Sequence, residues 1–421
     1  SYRCDGLLEV TTSGVVVRGA GVGQTLLWFT RDTGMSDLEH LSFRGQLSAG
    51  AELPLSEDGV ARDNAVRVAA FDPADLAVGD DVTIGWVISD EFVADHEMTG
   101  IWMAFNGQWR PFFRRQVEAI DCDGQGCTLT LDVPLRYPAL LRDQASVRVE
   151  TGYLEEVGIE ALSVSTVSDD WDQAWTNNRS HAIGMIGVKD GWMRELASFE
   201  SDNSADDRQR HLMSGGLLVR DSKRVTVADS SMARPQHRGE GGNGYLYEIS
   251  RAGEILTRDC EASEGRHGFI QNWDFGTSGS VWLRVHSSGG LLFTDSSETT
   301  SYPGYSDYHH SLAMANLVDD SVVDDGWHAV NRTSYSSGAG MSATQDVFWN
   351  LRGAGIIRSF QWGWGYVIGT TGLSLETLLP QGVLFESLFT EPEDWVEGTD
   401  LPEQLEPASL YEDQLQRRLG G

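Results

Sequence analysis

The chain has 421 residues, 40% of them apolar, with 14 Trp, enough to bury a large core; this excludes a disordered segment or a small disulfide-stapled module. Lys189 and Lys223 are the only lysines, arginine makes up the rest of the 31 basic residues, and 63 acids leave a formal charge of −32. Such a field repels nucleic acid and anionic membranes over most of the surface, so a polyanion binds only where Arg, His or a cation reverses the sign locally. No run approaches the roughly 18 apolar residues that span a bilayer, and the expected setting is secreted, extracellular or periplasmic.

Residues 7–48 alternate short β-rich runs with turns: Leu7–Val10, Gly14–Arg18, Thr25–Phe29 and Leu41–Phe43. Runs of about four residues suit the rungs of a β-solenoid. The Gly-rich stretch Gly19–Gln24 is read as a turn, because no helix and no Gly-Lys-Ser/Thr follows it. From 66 to 151 the pattern changes to longer β runs, Val78–Ile84, Ile101–Phe113, Cys127–Val133 and Ser146–Glu150, which predict an inserted antiparallel β subdomain with an aromatic core. Cys122 and Cys127 bracket a Gly-rich turn and suit a hairpin-closing disulfide, whereas Cys4 and Cys260 have no assigned partner.

Beyond residue 157 a phrase of apolar run, polar turn and apolar run recurs at Val188–Leu196, Val219–Val227, Ser250–Thr257, Gly276–Leu283 and Leu317–Val323. The spacing of roughly 26–31 residues over the first four is that of solenoid coils, and the wider gap before the fifth leaves a long loop at 287–308. The C-terminal segment opens with an acidic, turn-rich linker. Ser409 and Glu412 then form a capping box that starts a helix running through Leu419. The expected fold is all-β: a parallel β-helix with N-terminal coils at 1–65, the insertion at 66–151, the main solenoid at 152–371, and a linker with a capping helix at 372–421.

The opening from Leu7 to Gly21, with Gly14-Val15-Val16-Val17-Arg18-Gly19-Ala20-Gly21 at its end, resembles the early coil of the pectate-lyase-like, right-handed parallel β-helix superfamily. The repeated units over 157–357 extend the resemblance to about two thirds of the chain. It implies the fold and a carbohydrate substrate class; no lyase family's complete catalytic motif maps residue by residue onto these positions.

Histidine or arginine recurs in nearly every unit of the solenoid: His211, His237 with Arg238, Arg266 with His267, His309 with His310, His328, and Arg332. Stacked coils would gather these into one stripe. Cleaving a uronic-acid polymer by β-elimination needs a group to neutralise the carboxylate, a base for the C5 proton and an acid for the leaving oxygen. Arg238, Arg266 or Arg332 suits the first task. His267 or His310 suits the second and Tyr308 the third, with His237 placed one turn before His267. His211, Asn243, Asn272, His309, His328 and Asn331 are the expected substrate contacts.

The leading expectation is therefore a secreted polysaccharide lyase acting in a groove over 208–335. The alternatives are a glycoside hydrolase using two of Glu240, Glu248, Asp274 and Asp307, and a non-catalytic glycan-binding or adhesin module stacking sugars on Trp273, Trp282, Trp327, Trp349, Trp362 or Trp364. No organic cofactor is implied. Asp307 with His309 and His310, or His211 with Asp206 and Asp207, offer metal ligands, and Asp319-Asp320 and Asp324-Asp325 offer oxygens for Ca2+. The expected partner is a polysaccharide or oligosaccharide, with neither nucleic acid nor membrane insertion; the sequence leaves the oligomeric state open.

Overall fold

A computed structural model describes residues 1–166, 171–204, 209–377, 393–401 and 405–420. One parallel sheet of ten strands forms a face of the solenoid, in the order Leu8–Val10, Glu39–Arg44, His181–Ile186, Gly215–Arg220, Tyr245–Ser250, His267–Gln271, Ser306–Tyr308, Gly326–Ala329, Ile356–Ser359 and Ser374–Glu376. Parallel strands from the other two sides of each coil form the remaining faces, as where Val188–Ser198 bends to pair first with Lys223–Ala228 and then with Ser231–Ala233. Crossovers between parallel strands turn right-handed, and the molecule is a right-handed parallel β-helix.

The register explains the core. Leu41, Ile183, Leu217, Tyr247 and Phe269 stand opposite one another in successive coils, and their side chains enter the same core. The Tyr247 and Phe269 rings stack at 4.9 Å, and Phe269 stacks on Trp327 at 5.9 Å. Alternate residues of the same strands point outward, so the row Glu248, Ile270, Asp307, His328, Arg358 lies on the outer side of this face.

The antiparallel insertion has six strands, ordered Ser48–Pro54, Ser146–Thr151, Asp81–Val87, Trp109–Cys122, Gly126–Leu131 and Ala65–Ala69. It starts earlier than residue 66: Ser48–Pro54 is its edge strand, and Leu53 and Leu55 belong to its core rather than to the N-terminal coils. The chain leaves the solenoid after Arg44 and re-enters at Leu154, and the two crossings touch. Gly152 has φ +91°, and a Cβ there would lie 2.0 Å from the Gln46 carbonyl oxygen, so only glycine fits. The aromatics of the insertion are core, with Trp86 stacked on Phe112 at 3.6 Å. Cys122 and Cys127 form the hairpin disulfide; Cys4 and Cys260 are free.

Both lysines of the chain tie this insertion to the solenoid. Lys189 and Lys223 reach the two oxygens of Asp81, each at 2.6 Å. At the other end the helix Leu410–Gly420 docks through its N-terminus. Ser409 Oγ accepts from the Glu412 N–H at 3.0 Å, and the carboxylate of Asp319 accepts from Ser409 Oγ and from the N–H groups of Leu410 and Tyr411.

Candidate functional site

A cleft of about 300 Å³ opens on the ten-stranded face. It is lined by Arg179, Tyr245, Arg266, Asn272, Trp273, His309 and His310, with Gly241-Gly242 and Ser336-Ser337 at its rims. Among the described residues its lining carries two guanidiniums and no carboxylate, the reverse of the protein's overall charge.

The strand Ser306–Tyr308 and the turn after it supply the chemical centre. Asp307 faces outward and its Oδ2 lies 2.6 Å from His309 Nδ1, while Arg332 Nη1 donates to the same oxygen at 2.8 Å. This fixes the imidazole with Nδ1–H toward the carboxylate and Nε2 toward the cleft, 3.4 Å from the Tyr245 hydroxyl and 3.4 Å from Ser336 Oγ. Burial holds His309 well below the usual imidazole range, and Arg332, His267, His310 and Arg266 act in the same direction. Its neutral form is therefore the resting one. Burial also pushes the Asp307 carboxyl up to about 7, against the opposing pull of Arg332 and Arg266. Tyr245 is raised by burial, opposed by Arg266.

On the next coils the buried Glu248 organises the other half of the cleft. It receives His181 Nε2 at 2.9 Å, Arg179 Nη2 at 3.1 Å and Asn272 Nδ2 at 2.9 Å. Burial drives its carboxyl up, but these partners outweigh that and hold it at about 2. The carboxylate thus orients Arg179 and Asn272 from beneath. Arg266 donates Nη1 to the Gly239 carbonyl and its guanidinium lies 5.7 Å from the centre of the Tyr245 ring.

The insertion props both walls. Arg110 pairs with Asp274 at 2.8 Å and Phe105 meets Trp273 edge-on at 5.4 Å; Trp273 in turn packs on His310 at 3.9 Å. Opposite, Trp102 Nε1 donates to the Ala339 carbonyl at 3.0 Å. At Gly338, φ +86°, a Cβ would lie 2.1 Å from the Ile101 carbonyl oxygen, so the rim loop rests directly on the inserted unit.

Of the residues singled out in the sequence, Arg266, Asn272, His309 and His310 line this cleft, and Arg332 supports it from behind through Asp307. Tyr308 does not. It points into the solenoid core against Trp282, Trp327 and Phe348, because it is one residue out of phase with the outward Asp307; the phenol of the cleft is Tyr245. His267 is in register with Tyr245, not with His237. It lies beside His309, with Nδ1 bonded to the Tyr305 carbonyl at 2.6 Å.

His237 stacks on Trp175 at 4.1 Å, and Arg238 is spent on the Glu264 carbonyl and the Phe293 ring. His211 bonds Ser198, Asn243 fixes the Arg179 and Ser214 backbone and side chain respectively, His328 stacks on Tyr305, and Asn331 caps the Thr333 N–H. None of these six is among the residues that line the cleft.

Among the carboxylates weighed for hydrolysis, Glu240 is exposed and Asp274 is bound to Arg110. The Asp pairs considered for calcium are engaged by protein donors: Asp319 by the C-terminal helix, Asp320 by Arg352, Asp324 by His286 and Asp325 by Ser287. Asp206 and Asp207 lie outside the described residues. Trp282 and Trp327 are core, Trp349 donates to the Pro407 carbonyl, and Trp273 is the indole that lines the cleft. Sequence inspection missed Arg179, Tyr245 as the phenol, and Ser336-Ser337.

No protein-family model matches the sequence, and no curated protein does. Among solved structures, the chain is similar to the Gp54 tailspike of Acinetobacter baumannii bacteriophage AP22, solved in complex with an A. baumannii capsular saccharide. The identity is 13%, over 94% of this chain and 62% of that one, with a TM-score of 0.48. It is also similar to the tailspike protein gp49 from Pseudomonas phage LKA1, at 9% identity over 87% of this chain and 66% of that one, with a TM-score of 0.42. The chain spans less than two thirds of the length of either structure. Both TM-scores lie below 0.5, and the assignment of the fold rests on the strand registers given above.

Proposed function

We propose that the cleft cleaves an anionic, uronic-acid-containing polysaccharide by β-elimination. The observation that carries this is the line Asp307–His309–Tyr245 opening into a cleft whose charged lining is Arg179 and Arg266. In this reading the guanidiniums hold the substrate carboxylate and stabilise charge that builds on it as the C5 proton leaves. His309 Nε2 takes that proton, Asp307 stabilises the resulting imidazolium, and the electron pair forms the C4–C5 double bond. The C4–O4 bond breaks and Tyr245 protonates the departing oxygen. The proton on His309 then returns to Tyr245 across the 3.4 Å gap, which restores both groups.

Hydrolysis is the second reading, favoured by one observation. Glu248 and Asp307 share the outward row with one strand between them, about 9.5 Å apart at the backbone from strand spacing. One is held at about 2 and the other raised to about 7, the divergence expected of a base and acid pair. Both side chains, however, are fully buried.

The test is a time course on acidic and neutral polysaccharides that records both absorbance of unsaturated products and new reducing ends. Absorbance rising with reducing ends supports elimination. Reducing ends alone transfer the chemistry to Glu248 and Asp307, and binding without either signal leaves a glycan-binding module.

A further inference from the structure

Behind the cleft, His267 converges on Asp307 and His309 in a way the elimination reading does not use. One atom each from His267, Asp307 and His309 lie within 4.8 Å of one another, and all three residues are buried. His267 donates Nδ1–H to the Tyr305 carbonyl at 2.6 Å, which leaves its Nε2 as a lone-pair donor; that atom is buried and has no hydrogen-bond partner among the described residues. Oδ1 of Asp307 is likewise buried and without a partner among them, while Oδ2 is occupied by His309 and Arg332. An imidazole locked by a backbone carbonyl is the arrangement that orients a metal-binding histidine.

The geometry points to a binding site for one late first-row divalent metal, of the Zn2+ or Ni2+ class, held by His267 Nε2, His309 Nδ1 and the Asp307 carboxylate. This goes beyond the elimination reading: the ion displaces the Nδ1 proton of His309 to solvent, and within that reading it is an inhibitor, because it takes the carboxylate that would stabilise the imidazolium. The donor set decides the class. Two nitrogens and one carboxylate oxygen suit Zn2+, Ni2+ or Cu2+, while Ca2+ needs six to eight oxygens and Mg2+ an octahedron of them. Ligand atoms around Zn2+ stand about 3.3 Å apart at Zn–N distances of about 2.0–2.1 Å, so small side-chain rotations from the present positions close the site. Arg332 and Arg266 add positive charge nearby and oppose any cation bound mainly by electrostatics, which sharpens the discrimination against Ca2+ and Mg2+.

The experiment uses the whole chain, stripped with chelator and dialysed against Zn2+, Ni2+, Co2+, Ca2+ or Mg2+ without substrate, with bound metal measured by mass spectrometry. One equivalent of Zn2+ or Ni2+ is expected, no retained Ca2+ or Mg2+, and visible ligand-field bands from the Co2+ form. His267→Ala and His267→Gln, each checked for native circular dichroism, are expected to lower affinity at least ten-fold. His286→Ala, which alters an exposed imidazole bonded to Asp324, should bind as wild type. Failure of the wild type to retain Zn2+, Ni2+ or Co2+, or equal retention by folded His267 variants, overturns the site. Because the dialysis contains no substrate, a negative result leaves the elimination reading standing, and absence of eliminase activity leaves the metal site standing.

Discussion

The chemistry of the cleft turns on which side chains occupy one outward row and which sit one position out of phase. Tyr308 and His309 are adjacent in sequence, yet one is sealed in the solenoid and the other opens on the cleft. A shift of one residue in strand register exchanges the two sides, and composition alone does not set that register. The density of His and Arg between 234 and 332 therefore marked the region where the cleft lies, but the division between cleft and scaffold was not legible. Arg179 escaped notice for a related reason: Glu248, which orients it, is 69 residues away in sequence.

Two predictions belong at this scale. His309→Ala and Tyr245→Phe should each lower kcat by about 10²–10⁴-fold with a smaller change in KM, measured by steady-state kinetics on a substrate the wild type cleaves; an unchanged kcat in both removes the proton relay. The second concerns acid stability. Glu248 is depressed from 4.5 to about 2, so its contribution is present in full above about pH 4.5 and is lost as the pH falls toward 2. At roughly 1.4 kcal/mol per unit that is about 3 kcal/mol. Denaturant unfolding of Glu248→Gln should show a deficit against wild type at pH 6 that shrinks at pH 3; a deficit independent of pH contradicts the assignment.

Among the elements, the N-terminal rungs were legible because short apolar runs alternate with glycine turns: Val16–Arg18 and Leu26–Phe29 form where Gly14–Arg18 and Thr25–Phe29 were expected. The edge strand Ser48–Pro54 was not, since Ser-Ala-Gly-Ala-Glu-Leu-Pro lacks any β-branched residue and takes its conformation from pairing with Ser146–Thr151. The C-terminal helix followed its capping box, but its anchor, Asp319, lies 90 residues away in sequence. Replacing Asp319 by Ala should free the helix at a cost of about 1–2 kcal/mol, visible as faster amide exchange confined to residues 410–420. Unaltered protection there would mean that side-chain packing, not the carboxylate, holds it.

Over the whole molecule, the net charge of −32 surrounds a cleft whose charged lining is two arginines. A polyanion approaching from solution meets repulsion at long range and attraction only at contact. The Debye length falls from about 30 Å at 0.01 M salt to about 10 Å at 0.1 M, which screens the former more than the latter. The apparent KM for an anionic polysaccharide should therefore fall across that range, and a steady rise in KM with salt would show that contact attraction dominates.

The touching crossings at Gln46 and Gly152 make the solenoid and its inserted unit separable in architecture. A chain that enters and leaves a scaffold at one point can exchange what lies between without rethreading any coil. Here the exchangeable part also carries Trp102, Phe105 and Arg110, which set the cleft walls from outside the trunk. Grafting a different sheet at that junction would leave Tyr245, Asp307 and His309 on their rungs and reshape the space above them, so that substrate preference can diverge through a module that holds none of the proposed chemistry.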